Sequence, residues 1–443
     1  MQSLLELRTH AREIFFAGLA AVDPVTAIKN RVQLRRNLLQ VDHQSYNLDT
    51  IGKIVVLGCG KAAAPMALAL EGLLGDRISS GAVVVKYGHG LKLKRIVVLE
   101  AGHPIPDEAG VRAAHQITQT LISCGERDLV FFLVSGGGSA LLPYPADGLS
   151  IADKQRTTSL LLNSGATIAE VNAVRKHLSH LKGGQLARLA APAKVVSLIL
   201  SDVVGDAVEA IASGPTAPDS STYAECLDIL TRYRLCDRLP VAVIEHLVMG
   251  SRGEIAETPK DFSATFERVQ NVIIANNRMA VSAARRRAEA LGYRSVVFSD
   301  ALEGESRIAA RSFSTFVKKI IETDKPILCP ACVISGGETT VTVRGNGVGG
   351  RNQEFALAAA IELHGVDKIV LLSAGTDGSD GPTDAAGAII DGTTVERAVA
   401  MGLDPVAFLN ENDSYHLLQA INDLFFTGPT MTNVMDLQVA LTS

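Results

Sequence analysis

The stretch from Ile54 to Met66 reads IVVLGCGKAAAPM, and its interpretation decides the fold. Four apolar residues run into Gly58-Cys59-Gly60-Lys61, and small helix formers follow. A buried run, a glycine turn and a helix start open a strand–loop–helix unit. A Walker A loop needs glycine at 55 and Ser or Thr at 62, where the chain has valine and alanine. Gly58, Gly60 and Ala63 do fit G-x-G-x-x-A, but the next run, AVVVK, closes on Lys86 instead of the acid that a dinucleotide ribose requires. What remains is glycine backbone at a helix start beside one cation, which makes an anion site. The alternative is a tight turn with a solvated lysine.

The same rhythm recurs along the chain. DLVFFLV (128–134) ends in SGGGSA, and KVVSLIL (194–200) ends in SDVVGD. Ahead of DLVFFLV, DEAGVRAAHQITQTLI (107–122) predicts a helix with acids in its first turn, where the dipole favours them. Strand, glycine loop and helix in repetition imply an α/β domain with a mostly parallel sheet. The rhythm lapses around 236–265, where GSRGEIAETPKD is polar and rich in turn residues, so a first domain is expected over 1–240 and a second over 241–443. The second begins with NVIIAN (271–276) and continues through CVISGGETTVTV, read as strand, turn and strand, to KIVLLSAGTDG (368–378). The last strand, LQVAL, belongs to the second domain unless it returns to the first.

Glycine loops at strand exits are where open α/β sheets bind ligands, which suggests one shared cleft between the domains. Ser135, Gly136, Gly137, Gly138 and Ser139 form a second anion candidate, since consecutive glycine N–H groups make a nest. Ser139 as a hydrolytic nucleophile lacks the last glycine of G-x-S-x-G. NAVRKHLSHLKGGQLA (172–187) reads as a basic helix ending at Gly183-Gly184, and Arg175, Lys176, His177 and Lys182 complement phosphate or simply suit the helix end. Asp202 follows a strand, placed to hold a hard cation or accept a hydroxyl proton. Glu338, Arg351, Asn352, Glu354, Asp377, Asp380 and Asp384 crowd among glycines in the second half, with Arg351 placed like a phosphate clamp. Asn276, closing NVIIAN, is grouped with the binding residues.

The 443 residues carry a net charge of -5, which gives no footprint for nucleic acid. Aromatics are 5% and tryptophan is absent, which argues against base-stacking platforms. No long uncharged apolar run predicts a membrane span, and the charged, amphipathic N-terminus does not read as a signal peptide, so a cytoplasmic location is expected. Of six cysteines only Cys329 and Cys332 have motif spacing, and they precede an apparent strand, so reduced thiols are expected. Anion sites, cations and oxygen ligands together suit phosphoryl transfer.

VLGCGKAA, LVSGGGSALLPYP, NAVRKHLSHLKGGQLA, ISGGETTVTVRGNGVGGRNQEFALA, SAGTDGSDGPTDAAGA and TGPTMTNVMDLQVAL, in that order along nearly the whole chain, resemble the class II glycerate kinases. That family has a C-terminal domain of the MOFRL type, and some members carry the name hydroxypyruvate reductase. The resemblance implies a Rossmann-like first domain, a mixed α/β second domain and an active site between them. It implies ATP-dependent phosphorylation of D-glycerate at its 2-hydroxyl with Mg²⁺. The family's lysine motif falls on Lys61 and its arginine motif on Arg351. In this reading the 135–139 loop holds either a phosphate or the glycerate carboxylate, Asp202, Asp377 or Glu338 assists the metal, and Asp202 orients the hydroxyl. A homodimer is left open. One departure is Met431, where the family has glycine; a positive φ there would strain the turn and put Thr432 and Asn433 in doubt as ligands. The rival readings are an NAD(P)H-dependent hydroxypyruvate reductase and a non-enzymatic sugar-acid binding protein.

Overall fold

A computed structural model describes residues 3–443. The chain is mixed α/β and divides into two compact units, Pro24–Ile274 and a second built from the N-terminal segment through Asp23 together with Ala275–Ser443.

The central unit is organised by a six-stranded sheet. Its strands are β1 (Ile54–Cys59), β2 (Ile78–Lys86), β3 (Val97–Ala101), β4 (Leu129–Val134), β5 (Lys194–Leu200) and β6 (Val269–Ala275). Their spatial order is β3-β2-β1-β4-β5-β6. The pairings β1/β2, β2/β3, β1/β4 and β4/β5 are all parallel. Every residue of β1 and β4 is buried, which is why both read as continuous apolar runs and not as alternating ones. Val55, Leu57 and Cys59 on one face of β1 pack with Ala113, Ala114, Ile117 and Leu121 of the helix Glu108–Ile122. The chain runs outward from β1 in one direction through β2 and β3, then returns to β4 on the other side. Strand order therefore reverses between β1 and β4, and a crevice at their carboxyl ends is the natural ligand position.

The boundary expected near 240 does not match this packing. Helix Val241–Ser251 packs against helix Tyr223–Arg232 through Tyr223, Ile229, Val243 and Leu247, inside the central unit. NVIIAN does not open the second domain; it supplies β6, the last strand of the first sheet. The basic segment also differs from expectation. Its helix, Ile168–His177, stops before Lys182, and Gly183 and Gly184, both at positive φ, start a separate short helix.

The second unit holds a mixed sheet of β7 (Arg294–Leu302), β8 (Ala331–Gly337), β9 (Ile369–Gly375), β10 (Gly387–Asp391), β11 (Leu424–Phe425) and β12 (Asp436–Thr442), in the order β7-β8-β12-β9-β10-β11. LQVAL thus lies at the centre of this sheet, antiparallel to β8 and β9. Side chains of β8 alternate between faces. Ala331 and Val333 join the core under helices Ser306–Thr323 and Arg351–Glu362, while Cys332 and Ile334 join the core under Asn277–Ala290. The N-terminal helix Leu4–Ala21 completes that second core with Leu7, Ala11, Ile14 and Phe15, so the first 23 residues belong with the C-terminal half. Burying Phe15 alone contributes about 2 kcal/mol. Arg8 fastens the helix to β10, with Nε 2.8 Å from Asp391 Oδ2.

ETTVTV forms no strand. Ser335, Gly336 and Gly337 are not a turn but the paired end of β8, opposite Gln438, Leu437 and Asp436. Gly337 then leaves at φ +146, and only Thr340 makes an isolated bridge beyond it. Met431 does adopt φ +61. Thr432 beside it is buried and donates its hydroxyl to Val22 O at 2.9 Å, which commits that side chain to packing. Met431→Gly is expected to stabilise the protein by about 0.5–1 kcal/mol in urea titrations, since glycine adopts this conformation without a Cβ clash.

Candidate active site

The exits of β1 and β4 are joined by their own backbones. Ser135 N donates to Cys59 O at 3.1 Å, and Lys61 N donates to Gly136 O at 2.9 Å. Ser135 Oγ accepts from Ala62 N at 2.9 Å, which satisfies an N–H at the start of helix Ala63–Leu74. Ser135 is fully buried and spends its polar groups on this junction. Gly60 (φ +131) and Gly137 (φ +83) occupy conformations that side chains disfavour. A Cβ on Gly137 would stand 2.8 Å from the His103 ring and 3.6 Å from Lys61 Cγ, so the lysine stem runs beside the Gly137 turn. Ser139 Oγ lies 2.9 Å from Ser213 Oγ, and Ser213 in turn donates to Asn172 Oδ1 at 3.2 Å. That bond ties Ser139 into a chain with Ser213 and Asn172.

Beside this junction is a cavity of about 740 Å³ lined in part by His103, Gly137, Ser139, Lys154, Arg175 and Lys182. The three longer cations are striking only in their partners. Lys154 Nζ donates to Leu178 O at 2.7 Å, Lys182 Nζ to Ser139 O at 2.9 Å, and Arg175 Nη1 to Asn172 Oδ1 at 3.5 Å. Among the described residues none of them is paired with a carboxylate. Lys154 and Lys182 are nevertheless buried, at 7% and 4% exposure. Burial lowers the pKa of Lys182 to about 8, with Arg175 adding to it and Cys59 opposing. Burial also lowers Lys154 well below the usual lysine range, helped by Lys182 and Arg175. Buried like charges without counter-ions are costly, and an anion in the cavity offsets that cost.

This cluster has a pH signature. Lys182 binds anions as the cation, so affinity of the protein for inorganic phosphate should fall as pH rises through 8. Its folded pKa lies below its unfolded value, so the unfolded chain binds more protons between about 8 and 10.5. Ligand-free stability should therefore rise over the same interval in which affinity falls. Titration calorimetry and urea unfolding at pH 7, 8 and 9 check both directions.

Lys176, expected to face a phosphate, does not line this cavity. Successive helical residues point about 100° apart, and Lys176 turns inward to Asp219, Nζ to Oδ1 3.1 Å, while Arg175 faces the cavity. Asp219 is fully buried; burial opposes its charge most, but Lys176, the hydrogen bonds from Ser221 and the nearby His177 together hold the carboxyl below the usual range. Asp202 lies half-buried just past β5, whose neighbour in the sheet is β4.

In the second unit, helix Arg351–Glu362 starts behind Gly349-Gly350, and its first residue is held on two sides. Arg351 Nε and Nη2 reach the two oxygens of Asp436 at 2.6 and 2.9 Å, and Nη1 reaches Glu338 Oε1 at 2.7 Å. Burial works against the guanidinium charge, but Asp436, with Glu338 and Asp380, raises its pKa above the ordinary arginine value. Asn352 N and Gln353 N donate to the two oxygens of Asp380 at 3.1 and 2.8 Å. Burial pushes Asp380 up to about 7 despite these bonds. Glu354 is buried between Arg307 and Asn412, Asp384 accepts from Tyr415 Oη at 2.8 Å, and Asn276 caps helix Asn277–Ala290 by accepting from Met279 N. Each of these three, expected to bind ligand, spends at least one oxygen on a local structural bond. Asp377 accepts from Ser379 N at 3.1 Å. Among the described residues no group of three or more His, Cys, Asp or Glu side chains is placed to hold a metal ion.

A family model described as a domain of unknown function (DUF4147) matches residues 10–248, and the MOFRL family model matches residues 331–436. Glycerate 2-kinase of Pyrococcus horikoshii is 41% identical over 99% of this chain and 98% of its own. D-glycerate 2-kinase of Thermotoga maritima is 42% identical over 98% of each chain. The chain belongs to the glycerate kinase family. The crystal structure of the Thermotoga glycerate kinase superposes with a TM-score of 0.87 at 41% identity, covering 99% of this chain and all of that one. A relative from Agrobacterium vitis, 41% identical over 97% of this chain and 93% of its own, bears a provisional hydroxypyruvate reductase name.

For a glycerate kinase, the sequence signals were uneven. The Gly58–Lys61 and 135–139 loops announced themselves by glycine at strand ends. Lys154 did not, because ADKQRTTS is an ordinary amphipathic helix face whose lysine turns toward the cavity only after Ile151–Asn163 packs. His103 carries no such signal either, since it lies in a loop with no motif of its own.

Proposed function

We propose that the protein transfers the terminal phosphoryl group of ATP to the 2-hydroxyl of D-glycerate, giving 2-phosphoglycerate and ADP. The observation that carries this reading is the junction at the β1/β4 switch point, where Lys61 runs beside the Gly137 turn. Phosphoryl transfer asks mainly for positioning and charge neutralisation, and a lysine on a rigid glycine junction supplies both. Lys61 takes the transferring oxygens. Arg351, its orientation fixed by Asp436 and Glu338, is the second cation assigned to the reaction. Asp202, at the exit of β5, orients the acceptor hydroxyl and accepts its proton.

When bound with the nucleotide, Mg²⁺ supplies charge neutralisation at the phosphates, held chiefly by phosphate and water oxygens with one or two carboxylates. Asp202, Asp377 and Glu338 would be the carboxylates to take that share, Glu338 while also meeting Arg351. No preformed carboxylate cage is required for a metal that arrives this way.

A ³¹P NMR time course with D-glycerate, ATP and Mg²⁺ tests the reading. A new monoester assigned to 2-phosphoglycerate supports it, and 3-phosphoglycerate overturns the acceptor position. A parallel tube with hydroxypyruvate and NADH addresses the Agrobacterium relative's name. Consumption of NADH without any phosphoester in the first tube overturns the kinase reading.

A further inference from the structure

The cavity beside the 135–139 loop is far larger than a three-carbon acid. At about 740 Å³ it falls among sites that enclose drug-sized ligands. Its wall combines two kinds of side chain. Lys154, Arg175 and Lys182 bring positive charge with no acidic partner among the described residues. Ile105 and Leu162 bring apolar surface left 69% and 52% exposed. A glycerate molecule carries a single carboxylate and almost no apolar surface, so it matches neither feature.

We propose that this cavity is the nucleotide seat, with Lys154, Arg175 and Lys182 receiving the polyphosphate and the Ile105/Leu162 wall receiving the base. The proposal rests on the kinase reading above and adds which residues grip the donor. Three neighbouring cations attract a polyphosphate more strongly than a monocarboxylate, because each added phosphate charge meets another cation. Burial of Lys154 and Lys182 strengthens this selectivity, since water screens their fields weakly. The hydroxyl chain Ser139–Ser213–Asn172 connects the glycine loop to Arg175, so the loop amides and the cations are held in one frame. Glycerate then sits outside this cavity, and its affinity is independent of these three cations.

Isothermal titration of the full-length protein with ATP, tripolyphosphate, adenosine and D-glycerate, each separately, decides the matter. In the wild type, ATP and tripolyphosphate are expected to bind, and prior saturation with D-glycerate should not displace them. Lys154→Met should lower affinity for both by tenfold or more, leave D-glycerate affinity unchanged, and keep or raise the ligand-free melting temperature. The melting readout matters because a variant damaged in folding would lose temperature as well. Arg175→Gln, at a less deeply buried position, gives the same test should Lys154→Met fold poorly. Loss of D-glycerate affinity with ATP affinity intact in either variant would make this the acid's seat and overturn the proposal. Unchanged ATP affinity in both variants, in a protein that still forms phosphoglycerate, would also overturn it while leaving the kinase reading in place. Binding of adenosine without tripolyphosphate would overturn the phosphate assignment, and a wild type that binds no ATP would overturn both readings.

Discussion

Lys61→Ala is expected to lower kcat by about 10³, the scale on which single cations and oxyanion donors act in phosphoryl and acyl transfer. The fold should be indifferent to it. Alanine retains one contact that fixes residue 61 in the junction, the backbone N–H to Gly136 O. Urea midpoints of the variant and the wild type should therefore agree, while kcat and kcat/KM fall together. A comparable fall in both parameters identifies an interaction made in the transition state, whereas a rise in KM alone would identify uniform binding. Lys61→Arg is not expected to restore the rate, because a planar guanidinium cannot reproduce a compact ammonium beside the Gly137 turn. Near-normal turnover in Lys61→Ala would remove the lysine from the mechanism.

Gly60→Ala is expected to fail differently, by losing stability and activity at once. At φ +131 an L-residue is strained wherever it stands. Here the added Cβ would overlap Ser135 Oγ and lie 2.5 Å from the Ser135 carbonyl oxygen. Neither neighbour can yield, since Ser135 is fully buried and its backbone is pinned to Cys59. The cost should exceed about 3 kcal/mol, with activity below one hundredth of wild type in whatever folded protein remains. Gly72→Ala is the control. It lies inside helix Ala63–Leu74 with open space where its Cβ would go, and it should stabilise by about 0.5–1 kcal/mol with kcat unchanged. Equal behaviour of the two variants in urea titration would mean that the junction is not rigid.

Much of this molecule was readable before any coordinates. β1 and β4 are short, apolar and lead into glycine loops, and β5 is apolar apart from Lys194 and Ser197, so their identity as buried parallel strands depended only on local pattern. The expectation of an anion site at their exits was equally local, because a glycine nest is read from its own backbone alone. Where the pattern was read too literally, the tertiary partner explains the error. NVIIAN resembles the opening of a new domain, yet it pairs into the first sheet. ETTVTV has strand composition, yet β12 and β7 already occupy both sides of β8, and the chain departs at Gly337.

The sequence by itself determined the class of fold, the glycine loops at the strand exits and the place of Lys61 beside a helix start. Tertiary structure alone decided which cations are spent and which remain available. Lys176 is neutralised by Asp219, 43 residues away, and Arg351 is held by Asp436, 85 residues away. Lys154, Arg175 and Lys182 come from three separate segments and share a cavity with no carboxylate among their partners. The tertiary structure also placed the N-terminal helix in the unit formed by the C-terminal half. The physical reason is one of range. Apolar periodicity and glycine turns are set by neighbours along the chain, whereas a charge is compensated or left open by whatever the fold brings within a few ångströms of it.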